Sequence, residues 1–310
     1  MAALLVYSGK SPLALELLTA ARFLAKDTAW EVKAVCINNE EQAVEMADRG
    51  AATFNIKNEN INLADTAAVA SALEQAAKKL DASIVLLASD RRGKELAGRL
   101  AQKLQAGCLT DVNSLAVVGG KVQCQRNALS GAVVATQQIE SAWQVIALAP
   151  RAFETSTAEG GGSVQELEIE AAASPLKLVA SRSKAGDTVD ITAAEVLVIV
   201  GQGTEPEDLE PVRAVAKALG GEIACTKPVA TDRKWFPEDR IIGLSGKICK
   251  PQLAIILGVS GQVQFTVGIR DASTIVAVNK DENAYILQLA DYAMVADLQE
   301  VLPELAKSLA

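Results

Sequence analysis

Over its first third the chain alternates short β-branched runs with helical stretches, and this alternation narrows the fold more than any other feature. ALLVYSG precedes LALELLTAARFLA, EVKAVCINN precedes EEQAVEMADRG, and SIVLLAS precedes RRGKELAGRLAQKLQ. Short apolar runs separated by amphipathic helices predict a mostly parallel sheet covered by helices. From Thr110 the rhythm changes to strand after strand, in LAVVG, KVQCQRNAL, AVVATQQIE and WQVIALA, with Gly119-Gly120 as a hairpin turn. An antiparallel portion is therefore expected to close the first domain.

Residues 154–164, ETSTAEGGGSV, carry no apolar periodicity and are expected to form a surface loop, and Ser181 to Asp190 reads as the connection to a second unit. That unit starts with the strand VLVIVGQG, followed by the helix EPEDLEPVRAVAKALG, whose acidic first turn suits a helix N-terminus and whose Gly220-Gly221 ends it. Strand EIACT comes next, then a loop from Lys227 to Lys250, strands LAIILG and TIVAVNK, and a last helix over Leu298–Leu309 opened by an Asp297/Glu300 capping box. The fold class expected is α/β with two domains, 1–185 and 186–310, each a mostly parallel sheet flanked by helices. The second is doubly wound, so its ligands belong beyond the carboxyl ends of its strands.

Composition removes several functions. Half of the 310 residues are hydrophobic, enough for two cores. A formal charge of −8 offers no basic face to a phosphate backbone and argues against nucleic acid. There is no histidine, which removes imidazole as general base or zinc ligand. The five cysteines, at 36, 108, 124, 225 and 249, show no ligand spacing and read as buried thiols of a reducing compartment. MAALLVYSGKSP turns polar too early for a signal peptide, and runs such as Val196–Val200 fall far short of the roughly 20 residues that cross a bilayer. A cytoplasmic protein without membrane insertion is expected.

The chemistry is concentrated between Leu253 and Asp297. A strand breaks at Gly258-Val259-Ser260-Gly261, and an apolar helical stretch with Gln264 follows. Small residues after a strand let backbone approach a ligand, and amides opening the next helix suit a pyrophosphate. Alone, such a turn is more often purely structural. Taken whole, however, GVSGQVQFTVG, TIVAVNKD and ADYAMVAD closely resemble the signature of the electron-transfer flavoprotein alpha (FixB) family. LSGKI, KPQLAIILG and DASIVLLASDRRGKELAGRLAQKL resemble other stretches of the same family.

That resemblance implies FAD on the second domain and an electron carrier rather than a stand-alone enzyme. It further implies pairing with a beta subunit, itself carrying AMP or a second FAD, through an interface built partly by the first domain. An acyl-CoA dehydrogenase or similar flavin dehydrogenase would be the redox partner, as in fatty acid β-oxidation. By the same resemblance, Ser245 matches a hydroxyl near flavin N5. Ser260, Gly261 and Gln264 match the turn approaching the cofactor, and Asn279 and Asp297 the contacts to its ribose and phosphate end. Thr226 and Lys227 stand where Ser and Arg are usual. Gly246, Val259, Lys280 and Leu298 flank these positions and belong to the same implied site. The pattern departs at Phe265, where the family commonly has histidine, and at Gln202, where it has arginine.

A fixed cation beside a flavin favours its electron-rich anionic forms. Lys227 supplies one but lacks the planar fork of arginine, while Phe265 donates no hydrogen bond. The departures at Phe265 and Gln202 matter more than the Lys227 swap, because both remove positive charge or donors near the cofactor, and they predict a lower potential than is common in the family. Two other readings are weaker. An NAD-dependent dehydrogenase needs the third glycine that GQGTEP lacks, and an adenine-nucleotide-binding module rests on fold analogy alone.

Overall fold

The computed structural model describes residues 3–26, 28–129, 131, 133–155, 157, 160–180 and 190–309. The chain divides into two compact units, Met1–Ser181 and Arg182–Ala310. The expected boundary after residue 185, and the connection from Ser181 to Asp190 apart from Asp190 itself, lie outside the described residues.

In the first unit, β1 (Ala3–Tyr7), α1 (Ser11–Ala25), β2 (Glu31–Ile37), α2 (Glu40–Asp48) and β3 (Ala52–Ile56) lead into α3 (Thr66–Lys79), β4 (Ile84–Ala88) and α4 (Arg91–Leu104). Then come β5 (Gly107–Val118), β6 (Lys121–Ala128), β7 (Val133–Gln138), β8 (Gln144–Leu148) and β9 (Ser163–Glu166). Among the described residues they form one nine-stranded sheet, ordered β7-β6-β5-β8-β4-β1-β2-β3-β9. Only the β5-β6 and β6-β7 pairs are antiparallel.

Strand alternation divides the core by face. Leu5, Val85 and Leu87 pack with Leu73 of α3 and Leu96 and Leu100 of α4. On the other face Leu4, Val6 and Leu86 pack with Leu17 and Leu18 of α1 and Met46 of α2. Each such side chain contributes about 1.5–3 kcal/mol on leaving water, which explains why these strands are apolar throughout rather than alternating.

Gly119 and Gly120 turn the β5-β6 hairpin with φ of +59° and +76°, as a type I′ turn requires. Strand β3 and helix α3 are additions to the sequence reading. So is β9, which occupies the end of the expected 154–164 loop and pairs in parallel with β3 along an otherwise open edge; Ser156, Ala158 and Glu159 of that loop lie outside the described residues.

Helix α3 opens on Asp65, whose Oδ1 accepts from the Ala67 and Ala68 amides at 2.9 and 3.3 Å. Its Oδ2 accepts from the Ser174 hydroxyl at 2.7 Å. The Ser174 bond, helped by these amides, holds the Asp65 carboxyl below its usual range. A carboxyl with a depressed folded-state pKa stabilises at pH values above its unfolded value of about 3.9 and loses that contribution as pH falls through the folded value. Asp65→Ala should cost about 1 kcal/mol in denaturant unfolding at neutral pH, and the gap from wild type should narrow in acid.

The second unit runs β10 (Val196–Val200), a 3-10 turn at Pro206–Asp208, α5 (Leu209–Ala218), β11 (Glu222–Cys225), α6 (Lys227–Thr231), a 3-10 turn at Glu238–Arg240 and β12 (Leu253–Leu257). It continues with α7 (Val263–Thr266), β13 (Thr274–Asn279), α8 (Tyr285–Leu289), β14 (Tyr292–Val295) and α9 (Leu298–Leu309). The order is β11-β10-β12-β13-β14 and every pair is parallel. Val198 and Val200 pack with Val212, Val215 and Leu302 of α5 and α9. Leu197, Ile199 and Ile256 pack on the opposite face with Phe265, Ile269 and Ile286.

The stretch expected as one loop from Lys227 to Lys250 contains α6, which Pro228 starts by presetting φ in the first turn. Cys108 corrects the expectation of five buried thiols: it is exposed, whereas the other four are buried. Alternation along β5 turns it away from Leu109, which packs on the core. Among the described residues no helix is long and apolar enough to cross a membrane.

Candidate functional site

The second sheet places its own crevice. From β10 the chain crosses to β11 on one side, and β12, β13 and β14 extend on the other, so the winding reverses between β10 and β12. At such a reversal the connecting segments diverge and leave a cleft beyond the carboxyl ends. Here the two strand ends meet through glycines. The Gly203 amide donates to the Gly258 carbonyl at 2.9 Å. A Cβ on Gly201 would lie 2.3 Å from that same oxygen, and one on Gly258, at φ +62°, 2.8 Å from the Gly203 carbonyl carbon. No side chain fits either position, and backbone polar groups line the cleft.

Asn279 fixes the far wall. Buried at the end of β13, it donates from Nδ2 to the Val259 carbonyl at 2.7 Å and accepts on Oδ1 from the Asp281 amide at 3.0 Å. The turn after β12 is thereby tied to the next strand. Gly261 completes this turn at φ +86°, and a Cβ there would be 2.3 Å from the Ile286 amide nitrogen. Asn279, Lys280, Asp297 and Leu298 converge with Gly203 and Gly258 on one pocket, which Glu205 and Asp208 also line. Asp208 accepts from the Glu205 amide at 2.8 Å, and Asp297 caps α9 by accepting from the Gln299 amide at 3.0 Å. With three carboxylates to one lysine, this end suits sugar hydroxyls, which donate to carboxylates, better than an array of phosphates.

The remaining predicted residues lie along the same edge. The Leu244 amide donates to the Gln264 carbonyl at 2.7 Å, so the loop bearing exposed Ser245 and Gly246 rests on α7. Val259 is buried beside exposed Ser260, and Gln202 and Lys227 are exposed. Thr226, at the end of β11, is buried and its Oγ1 has no hydrogen-bond partner. Burial pushes the neighbouring Cys225 thiol up to about 12, which keeps it protonated and unreactive. Phe265 points into the core with Ile199 and Ile256 rather than standing free at the rim.

One positioning residue escaped the sequence reading. Arg233 donates to the carbonyls of Thr204 and Gln202, the latter at 2.9 Å, and lies 4.5 Å from the centre of the Trp235 ring. It braces the turn after β10 from below, and only its place in the folded loop reveals it.

Two family models match this chain: the electron transfer flavoprotein domain over residues 8–174 and the electron transfer flavoprotein FAD-binding domain over residues 190–270. Protein FixB of Escherichia coli O157:H7 is 31% identical over 301 residues, covering 95% of this chain and 94% of its own. The chain belongs to the electron transfer flavoprotein alpha family. FixB of Shigella flexneri matches over the same length at 31% identity, and that of Escherichia coli strain 55989 is 34% identical over 230 residues, covering 73% of this chain and 74% of its own. A solved Mycobacterium smegmatis structure described as a thiamin diphosphate-dependent enzyme aligns at 12% identity and a TM-score of 0.24, covering 99% of this chain and 59% of that one, too slight a likeness to bear on the fold.

The FAD-binding match ends at residue 270, so Asn279, Lys280, Asp297 and Leu298 are brought to the cleft by geometry beyond the matched stretch. The residues present suit FAD. A glycine-walled cleft would admit a phosphate-bearing backbone, the carboxylates would accept from sugar hydroxyls, and the orphaned Thr226 hydroxyl beside Lys227 has an unmet hydrogen-bonding capacity.

Proposed function

We propose that this electron-transfer flavoprotein alpha subunit holds one FAD along the carboxyl edge of its second sheet. Paired with a beta subunit carrying AMP or a second FAD, it passes electrons between an acyl-CoA dehydrogenase, or a similar flavin dehydrogenase, and other redox partners. The observation that carries this reading is the contact of Gly203 with Gly258 at the winding reversal, next to the pocket formed by Asn279 and Asp297. When bound, FAD supplies the electron-accepting ring. The chain's own task is to bind and bias it. The 258–261 turn would offer backbone to its phosphates, Asn279 and Asp297 would hold its ribose, and Ser245, Gln264, Thr226 and Lys227 would lie toward its ring. Gln202 places an uncharged amide where a guanidinium is common, and Phe265 packs inward without offering a donor.

Co-expression with the beta subunit tests the assignment. One FAD held by this chain per heterodimer, at a lower midpoint potential than FixB-type relatives, is expected; a heterodimer purified without flavin would overturn it. A second FAD in place of AMP would identify a bifurcating pair. Lys227→Gln should lower the potential by a further 20–40 mV or so, because a solvent-screened charge contributes about 0.5–1 kcal/mol per electron.

A further inference from the structure

The turn that follows β10 contains two peptide planes, each held at both ends. The Gln202 carbonyl accepts from Arg233 Nη2 at 2.9 Å, and the amide of the same peptide, that of Gly203, donates to the Gly258 carbonyl at 2.9 Å. The Thr204 carbonyl accepts from Arg233 Nη1, and the amide of that peptide, that of Glu205, donates to Asp208 Oδ2 at 2.8 Å. In a trans peptide the carbonyl and the N–H point in opposite directions. One guanidinium therefore fixes which way both planes face. Their oxygens turn to Arg233, and their hydrogens turn to Gly258 and Asp208, which line the pocket.

Arg233 is itself held. It follows α6, and its amide returns to the Pro228 carbonyl at 3.2 Å while the Trp235 amide returns to that of Val229, also at 3.2 Å. Lys234 between them takes φ +56°, and this left-handed residue folds the Trp235 ring back under the guanidinium, 4.5 Å away. The ring packs on the core to which Val212 and Val229 belong. Thr226 and Lys227 stand at the start of the same helix. Arg233 thus ties the segment that carries them to the turn that carries Gly203.

The geometry calls for a fork rather than a charge alone. Two carbonyls are served by two nitrogens of one planar group, which an ammonium on a flexible stem does not reproduce. Thr204 is fully buried, so its carbonyl, once deprived of Arg233, bears a desolvation cost unless the peptide turns. Turning it would bring an oxygen to the side where the amide stood. An anionic ligand would then meet an acceptor in place of a donor.

We infer that Arg233 is a positioning residue for the phosphate and ribose end of the cofactor: without touching it, the guanidinium sets FAD affinity by orienting the 202–203 and 204–205 peptides. This rests on the placement of FAD along this edge given above. Trp235 acts one step further back, as the platform that keeps the guanidinium level with both carbonyls.

Titration of FAD into the flavin-stripped heterodimer tests the inference, with the thermal midpoint of the flavin-free form as the control for folding. Arg233→Ala should weaken FAD by about tenfold or more, as expected when a buried carbonyl loses its donor. Guanidinium chloride at tens of millimolar should recover most of that loss by filling the space over Trp235, whereas sodium chloride at the same ionic strength should not. Arg233→Lys should bind FAD nearly as weakly as Arg233→Ala. Trp235→Leu, which keeps Arg233 and removes its platform, should weaken FAD by about two- to fivefold. The midpoint potential of the FAD that remains bound should match wild type, because the brace acts at the other end of the cofactor. Wild-type affinity in Arg233→Ala or, should that variant not assemble, in Trp235→Leu would overturn the inference. So would rescue by Arg233→Lys, a loss that guanidinium does not relieve, or a potential lowered as in Lys227→Gln. Each of these leaves the FAD assignment in place; a wild-type heterodimer that takes up no FAD would overturn both.

Discussion

Gly261→Ala should leave the heterodimer without FAD. The residue sits at φ +86°, where a side chain costs about 1–2 kcal/mol on conformational grounds. The added methyl would also lie 2.3 Å from the Ile286 amide nitrogen, and that amide donates to the Ser260 carbonyl at 3.3 Å. Relief requires moving either α8, whose Ile286 is fully buried in the core, or the turn itself. A loss of about 3 kcal/mol or more in unfolding free energy is expected, together with the disappearance of flavin absorbance from the purified complex. Gly98→Ala is the matched control. It lies inside α4 with nothing within 4 Å of an added Cβ, so the same methyl should be neutral or slightly stabilising there. If Gly261→Ala retains full flavin and melts with wild type, the turn is not the cofactor's support.

The contrast between these glycines shows what the residues reveal on their own. GVSG after an apolar strand marks a close backbone approach, and the strand-helix alternation marks two wound sheets, because both signals are local. Strand β3 and α3 were harder to see. ATFNI interrupts its apolar run with Thr53 and Asn55, both of which are nonetheless buried, and α3 is rich in alanine, whose small side chain gives weak periodicity although it packs without voids. Strand β14 is invisible for a different reason. All four of its residues are exposed, so its strand character comes from pairing with β13 rather than from burial.

The candidate site divides in the same way. Asn279 and Asp297 are far apart in sequence, yet they reach one pocket because each follows one of two adjacent parallel strands. Arg233 was missed because guanidinium-to-carbonyl bracing leaves no spacing signal, whereas Phe265 packs into the core as its apolar ring favours. The pairing of β1 with β4 in the first unit has no local signal either, because the order of strands in the sheet, not their order in the sequence, brings them side by side.

Asn279→Asp should be the most damaging isosteric change in the second unit, and its cost should depend on pH. The native amide uses both ends: Nδ2 donates to the Val259 carbonyl, while Oδ1 accepts from the Asp281 amide. An ionised aspartate keeps the second bond but turns a negative oxygen toward the Val259 carbonyl at the former donor distance of 2.7 Å, in a site only 8% exposed. Leaving a buried charge against an acceptor costs about 3 kcal/mol or more. Protonation restores a donor, so the folded protein raises the pKa of this new carboxyl above its unfolded value of about 3.9. The sign follows from linkage: the variant is least impaired below that unfolded value and loses stability as pH rises through the elevated folded one. Thermal midpoints of variant and wild type should therefore converge near pH 4 and separate toward pH 8, and flavin retention should follow the same course. A deficit independent of pH would mean that Asn279 does not donate to Val259, and that the turn after β12 is held by something else.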